Sequence, residues 1–388
     1  MWRHIASNAV TMLIVLLFML GGVILWGKGQ FDSAGPLTEA YCVEVPSGTN
    51  MGRVSEQLEA DGAISSGALF RVGADYSEKS SQLKAGSYLV PAGASMAEIV
   101  ETITRGGASS CGTEVVYRIG VSRVGVQLRE LDPATNQFLE KASFNPAEET
   151  APEIYVDRKE VAGTRFRVAL AEGVTSWQVV EALKAIDVLD GAVDAVPAEG
   201  SLAPDSYEIR LGEIREDVLA RMQTAQEQRV ARIWETRADD LPIETPEDLV
   251  TLASIIEKET GVAEERGQVA SVFVNRLNRG MRLQTDPTVI YGVTEGRGIL
   301  GRGLRRSELR RATPWNTYVI EGLPPTPIAN PGTASLEAAA QPLETPYIFF
   351  VADGTGGHAF AETLDEHNRN VAEWRRIEAE RANQSSGN

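Results

Sequence analysis

Ala9 to Trp26 reads AVTMLIVLLFMLGGVILW, and only Thr11 interrupts it with a polar side chain. About 18 apolar residues is near the minimum for a helix that crosses a bilayer, and Ile5-Ala6 can lengthen it. A cleaved export signal has a shorter apolar run and small residues at its cut site. Here Gly27-Lys28-Gly29-Gln30-Phe31 comes next, a poor site for cleavage, and no cysteine lies there to take a lipid. The run therefore reads as an uncleaved anchor. Arg3, with His4, precedes it and Lys28 follows it, so charge asymmetry decides orientation only weakly. A long chain behind a single N-terminal span is most simply exported.

Behind the anchor lies an acidic globular chain. The protein has 54 acidic against 37 basic residues, a net charge of -17, and 43% hydrophobic content. Wholesale disorder and a polytopic membrane protein are excluded on that balance. A protein that reads a phosphate backbone needs the opposite sign, so no nucleic-acid partner is expected. Three histidines and two cysteines leave little from which to build a metal site. No metal and no cofactor are expected. In an oxidising compartment, Cys42 and Cys111, which bracket the first folded segment, read either as a structural disulfide closing it or as two separate buried thiols.

The chain repeats itself. Leu83-Lys84-Ala85-Gly86-Ser87-Tyr88 aligns with Leu202-Ala203-Pro204-Asp205-Ser206-Tyr207, and the same offset pairs Val90 with Ile209, Gly93 with Gly212, Ile99 with Val218 and Ile103 with Met222. Upstream, Val45 to Thr49 with Val54 and Leu58 resembles Leu170 to Val174 with Val179 and Leu183, one short indel apart. Each copy reads strand, glycine turn, helix, a strand ending in Ser-Tyr, and a second helix. The arrangement resembles a LysM-type glycan-binding module; a spacer without binding is the plainer alternative. Between the copies, Cys111 to Arg165 holds a β-like run, Thr113 to Ile119, and a polar stretch, Asn145 to Pro152.

The last domain begins near Leu241-Pro242. Thr245-Pro246-Glu247-Asp248 opens a helix that runs through Thr260. With Leu252 set to zero at about 100° per residue, Ile255 falls at about 300°, Ile256 at about 40°, Glu259 at about 340° and Glu257 at about 140°. Glu259 shares the apolar stripe and Glu257 faces away. Burial favours the neutral carboxyl, which is what a general acid requires. A core-edge glutamate neutralised by Arg266, Arg276 or Arg282 is the competing explanation. Amides and aromatics then recur on loops: Gln284-Thr285, Trp315-Asn316-Thr317-Tyr318 and Asn330-Pro331-Gly332. Such side chains suit sugar recognition. His358 reads as a turn residue after the strand Tyr347 to Ala352.

Ser254-Ile255-Ile256-Glu257-Lys258-Glu259-Thr260, Asn275-Arg276-Leu277, Met281 to Gly292, Asn316-Thr317-Tyr318, Gly322-Leu323-Pro324-Pro325 and Val351-Ala352-Asp353-Gly354 resemble, in order, the bacterial YceG-like, or endolytic murein transglycosylase, family. The resemblance is close over about Leu249 to Asn370 and looser elsewhere. It implies a lyase that cuts nascent peptidoglycan strands and thereby ends their elongation. It implies Glu259 as the catalytic acid, the second glutamate of Glu-Lys-Glu-Thr. Gln284, Thr285, Asn316, Tyr318 and Trp315 are the substrate-binding candidates. Trp315 stands where the family usually has tyrosine, which keeps a ring face and removes a phenol. The stretch from Gly296 to Arg311, rich in Gly and Arg, reads as a solvated loop or as a contact for stem-peptide carboxylates.

The expected fold class is α+β: an N-terminal transmembrane helix, duplicated LysM-like α/β modules and a C-terminal mixed α/β catalytic domain. The expected divisions are 1–30 for the cytoplasmic stub and anchor, 38–108 for the first module, 109–168 for a strand-rich insertion, 169–240 for the second repeat and connecting helix, 241–376 for the catalytic domain and 377–388 for a flexible tail. The expected location is the bacterial inner membrane with the catalytic domain in the periplasm. The expected partners are glycan strands and the synthases of the elongation or division machinery. A non-catalytic peptidoglycan-binding scaffold and a hydrolytic muramidase using Asp286 are the alternatives.

Overall fold

The computed structural model describes residues 2–105, 110–161 and 163–386, without the side chains of residues 2–9 and 382–386. The chain divides into two units: Met1–Val116, Val126–Phe144 and Thr150–Phe166 form one, and Tyr117–Gly125, Asn145–Glu149 and Arg167–Asn388 form the other. Secondary structure is mixed α and β in both.

In the first unit the apolar run forms α1 (Trp2–Asp32). Val10–Asp32 is long and apolar enough to cross a membrane, and the rest of the chain leaves its most apolar part uncovered. Its last turn is not a free linker. Phe31 packs on the core of the following module, against Gly73, where an added Cβ would lie 2.2 Å from the phenyl ring. That module pairs β1 (Tyr41–Val45) antiparallel with β2 (Gly86–Val90), Tyr41 opposite Val90. Asn50 caps α2 (Met51–Ala60) and Ser66 caps α3 (Gly67–Tyr76), each side chain accepting a backbone N–H of the first turn. With α4 (Met96–Arg105), these helices bury Val54, Leu58, Phe70, Ile99 and Ile103 against Val43, Val45 and Tyr88. Cys42 and Cys111 face each other with Cα atoms 5.8 Å apart, a span a disulfide bridges.

Beyond it run β3 (Thr113–Ile119), β4 (Val124–Asp132) and β5 (Gln137–Phe144), in the order β5-β4-β3, and the short α5 (Glu153–Lys159). Only β3 carries a clear apolar run in sequence. Exposure of nearly all of β5 hides its strand character. Glu114 on β3 is buried and is held by the Arg129 guanidinium, Nε to Oε2 at 2.7 Å.

From Arg167 on, the second unit holds most of β6 (Arg165–Leu170), then α6 (Ser176–Lys184), β7 (Leu189–Asp190), β8 (Ser206–Ile209), β9 (Glu213–Ile214) and α7 (Arg215–Glu235). β6 neighbours β8, and β7 runs parallel to β9. Points aligned in sequence share local geometry with the first module. Gly48 and Gly173 both sit at φ +76°, and Gly93 and Gly212 at +71° and +78°, a region open mainly to glycine. The Tyr88 and Tyr207 hydroxyls each donate to the carbonyl four residues back, Lys84 at 3.1 Å and Ala203 at 2.7 Å.

The remainder is helical around a small hairpin: α8 (Pro246–Glu259), α9 (Arg266–Asn278), α10 (Asp286–Thr294), α11 (Arg306–Arg310), α12 (Thr333–Ala340), β10 (Phe349–Ala352), β11 (His358–Ala361) and α13 (Leu364–Ser386). Leu249, Leu252, Ile255 and Ile256 of α8 pack with Val269 and Phe273 of α9 and Leu336 and Ala339 of α12. Residues 377–386 continue α13 as helix, and Arg376 bridges Glu373 and Glu380 on its surface; residues 387–388 of the expected tail lie outside the described residues. One expectation needs correction: His358 is not a turn residue. The turn is Asp353 to Gly357, closed by the Asp353 N–H to the Gly357 carbonyl, and His358 opens the return strand opposite Ala352.

Candidate active site

The site is built where α8 stops. Thr245 and Asp248 form a reciprocal capping box and Pro246 takes the first helical position, which fixes the start of α8 and hence its phase. Glu259 is its last residue, and Thr260 leaves in extended geometry. The side chain keeps part of its surface open, yet protein crowds the carboxyl like an interior group. The carbonyl end of a helix also disfavours a negative charge.

The second motif closes on the first. Thr285 Oγ1 donates to Glu259 Oε2 at 2.6 Å. Thr285 precedes α10, and Gln284 before it adopts a left-handed φ of +49°. A non-glycine residue in that region is held there by its surroundings. The Gln284 side chain is exposed and, among the described residues, makes no hydrogen bond. The third motif braces the second: the Gln284 N–H donates to the Thr317 carbonyl at 3.2 Å and the Thr285 N–H to Thr317 Oγ1 at 3.1 Å. The Tyr318 hydroxyl donates to Asp286 Oδ1 at 2.7 Å.

Burial is the main reason the Glu259 carboxyl is held above the usual carboxylate range, and the Asp286 charge adds to it. The Thr285 hydrogen bond, His358 and Arg276 pull the other way without reversing it. The Tyr318 phenol is pushed up by burial first, then by its bond to Asp286. Arg276 is buried and spends its guanidinium on two backbone carbonyls, Ile348 at 2.7 Å and Leu283 at 2.6 Å. It is therefore a structural tie between α9, β10 and the Gln284 segment, and it reaches Glu259 only through its field.

Glu259, Gln284, Thr285 and Tyr318 are thus brought together. Asn316 sits beneath that group: it has no exposed surface, and its amide donates to the Glu308, Leu309 and Arg311 carbonyls while its oxygen accepts the Tyr318 N–H. Trp315 packs at the edge of the core, edge-on to Tyr291, with Nε1 donating to Thr326. Asn330 is also wholly buried and joins the start of α6 to Leu202, accepting the Leu202 N–H and donating to the Val174 carbonyl, each at 2.9 Å. Sequence reasoning misses His358 as a contributor. Its backbone N–H donates to Glu265 Oε1 and its Nδ1 meets Glu265 Oε2, both at 2.8 Å, and its charge acts on Glu259. The alternation His-Ala-Phe-Ala after a glycine-rich turn is the available signal. Among the described residues no cluster of His, Cys, Asp and Glu could hold a metal ion.

One carboxyl held above the usual carboxylate range and partly open to solvent, with a hydroxyl bonded to it and a phenol and an exposed amide carried on the neighbouring segments, is an arrangement suited to proton transfer to a polar substrate. The chain belongs to the YceG-like family, whose model matches residues 43–373. It is similar to the endolytic murein transglycosylase of Bacillus subtilis strain 168, 28% identical over 352 residues that cover 90% of this chain and 89% of the relative. It is also similar to the endolytic murein transglycosylase of Streptococcus pneumoniae strain D39, 26% identical over 95% of this chain and 65% of that longer protein. A solved yceG-like protein of Listeria monocytogenes matches 85% of this chain and 99% of its own at 25% identity, with a TM-score of 0.46.

Proposed function

We propose that this chain is a membrane-anchored endolytic murein transglycosylase. It cleaves the bond between N-acetylmuramic acid and N-acetylglucosamine within nascent strands, without water, and so ends their elongation. The observation that carries the reading is Glu259: one carboxyl held above the usual range, placed at the end of α8 with part of its surface open and held by Thr285. Family membership and the names of the relatives support the same activity.

In this reaction Glu259 gives its proton to the glycosidic oxygen, and the bond from that oxygen to the muramic anomeric carbon breaks. The substrate's acetamido oxygen meets the positive charge at that carbon. Glu259, now a carboxylate, takes the proton of the muramic 6-hydroxyl, whose oxygen closes on the anomeric carbon. The products are a 1,6-anhydro-muramyl end and a free glucosamine 4-hydroxyl, and Glu259 is protonated again. Glycosidases usually divide these steps between two carboxylates. Exposed Gln284 orients the sugar, and Tyr318 lines the cleft. Asn316 and Trp315 hold the loop that supports them.

α1 is the single inner-membrane span, and the rest lies in the periplasm, beside synthases of the elongation or division machinery. There Cys42 and Cys111 are joined. The two β-α-β-α segments are duplicated LysM-like modules; their shared glycine φ values and tyrosine hydrogen bonds support duplication.

Comparison of Glu259→Gln with Glu257→Gln tests the assignment. Glu259→Gln lowers cleavage by a factor of about 10² to 10⁴ or more, because glutamine fills the same space and transfers no proton. Glu257 accepts the Gly332 N–H, a bond glutamine keeps, so Glu257→Gln stays active. Cleavage rate and melting temperature are read together. An inactive Glu257→Gln, or a Glu259→Gln variant that is inactive because it is unfolded, overturns it.

A further inference from the structure

Within a chain of net charge -17, the segment Gly296 to Arg311 carries Arg297, Arg302, Arg305, Arg306, Arg310 and Arg311 against one acid, Glu308. Arg297 pairs with Glu295, and Arg302 forks onto Glu308. Arg306, Arg310 and Arg311 are exposed and, among the described residues, form no ion pair. The segment is fixed at both ends. Thr175 Oγ1 donates to the Gly296 carbonyl at 2.5 Å. At the other end the buried Asn316 amide gathers three carbonyls, two from α11 and one from Arg311 at 2.7 Å, groups that a helix end leaves without intrahelical partners. Asn316 is followed by Thr317, Thr317 braces Thr285, and Thr285 holds Glu259. Three unpaired guanidinium groups are thus mounted on the loop that supports the catalytic carboxyl. A solvated loop would not need a wholly buried amide to set its position.

Guanidinium forks match carboxylates, and a concentrated positive patch on an acidic molecule draws anionic ligands. A glycan strand carries a peptide on the lactyl group of each muramic residue, and those peptides bear free carboxylates. We propose that Arg306, Arg310 and Arg311 form a subsite for stem-peptide carboxylates of the strand lying over Glu259. This rests on the proposed function and adds a specificity to it: strands that carry stems are preferred to bare glycan.

The test uses the full-length chain in detergent, the variant Arg306→Gln/Arg310→Gln/Arg311→Gln, and two substrates: purified strands with stems, and the same strands stripped by an amidase with the lactyl carboxylates that this frees capped as methylamides. The wild type shows a lower KM for stem-bearing strands, on the order of tenfold for three exposed charge pairs. The variant loses that preference and matches the wild type on stripped strands, which also reports that it is folded. Equal KM values for variant and wild type on stem-bearing strands overturn the proposal, as does an equal loss on both substrates. If the wild type cuts neither strand, the proposed function fails, and co-sedimentation with uncut strands then decides the subsite. Retention of stem-bearing strands by the wild type alone supports it, and equal retention overturns it. Loss of binding to phosphatidylglycerol vesicles with unchanged strand KM assigns the patch to lipid and also overturns it.

Discussion

Two opposing influences meet at Glu259, and their balance sets the pH behaviour. Burial and the Asp286 charge favour the protonated carboxyl, while the Thr285 hydroxyl, His358 and Arg276 favour the ionised one. In the proposed mechanism the acid form starts the reaction, so activity should fall as pH rises through the raised folded-state value. Thr285→Val removes a hydrogen bond to the carboxylate at nearly constant volume. The carboxyl then moves further up, and the alkaline limb of the rate profile shifts to higher pH; a shift to lower pH contradicts the assignment. The same sign governs stability. A carboxyl whose folded value lies above its unfolded value binds its proton more tightly when folded, so its contribution is present at low pH and lost as pH rises. Glu259→Gln removes that loss, and its melting temperature at neutral pH is equal to or above that of the wild type.

At the scale of elements, the sequence separates what is periodic from what is contingent. The phase of α8 is readable, because a capping box and Pro246 fix its start and four apolar residues mark its stripe. Glu259 follows from that phase. Asn316 and Asn330 are not readable, since an amide that binds a sugar and an amide that braces a loop have the same composition. Only their zero exposure and backbone partners distinguish them. His358 is misread from sequence because the glycine-rich turn hides the short strand β11. Asn330 also makes a prediction. Asn330→Ala removes the acceptor of the buried Leu202 N–H, at a cost of about 2 kcal/mol. Calorimetry should show the melting temperature lowered by about 4–8 °C. An unchanged value would show that Asn330 does not tie these segments together.

For the whole molecule, the end of α1 is packed on the first module through Phe31 and Gly73, so that module is held at the end of the apolar helix with no slack. Cys42 and Cys111 lie 69 residues apart in the chain. A bridge closing such a loop adds up to about 4 kcal/mol on the chain-entropy account. Labelling of unreduced, denatured protein should find neither thiol free; labelling of both would exclude the bridge. Purified glycan strands digested with the full-length chain and weighed by mass spectrometry should yield internal fragments ending in 1,6-anhydro-muramic acid. Fragments one water heavier, with reducing muramic ends, would make the enzyme a hydrolase and contradict the account.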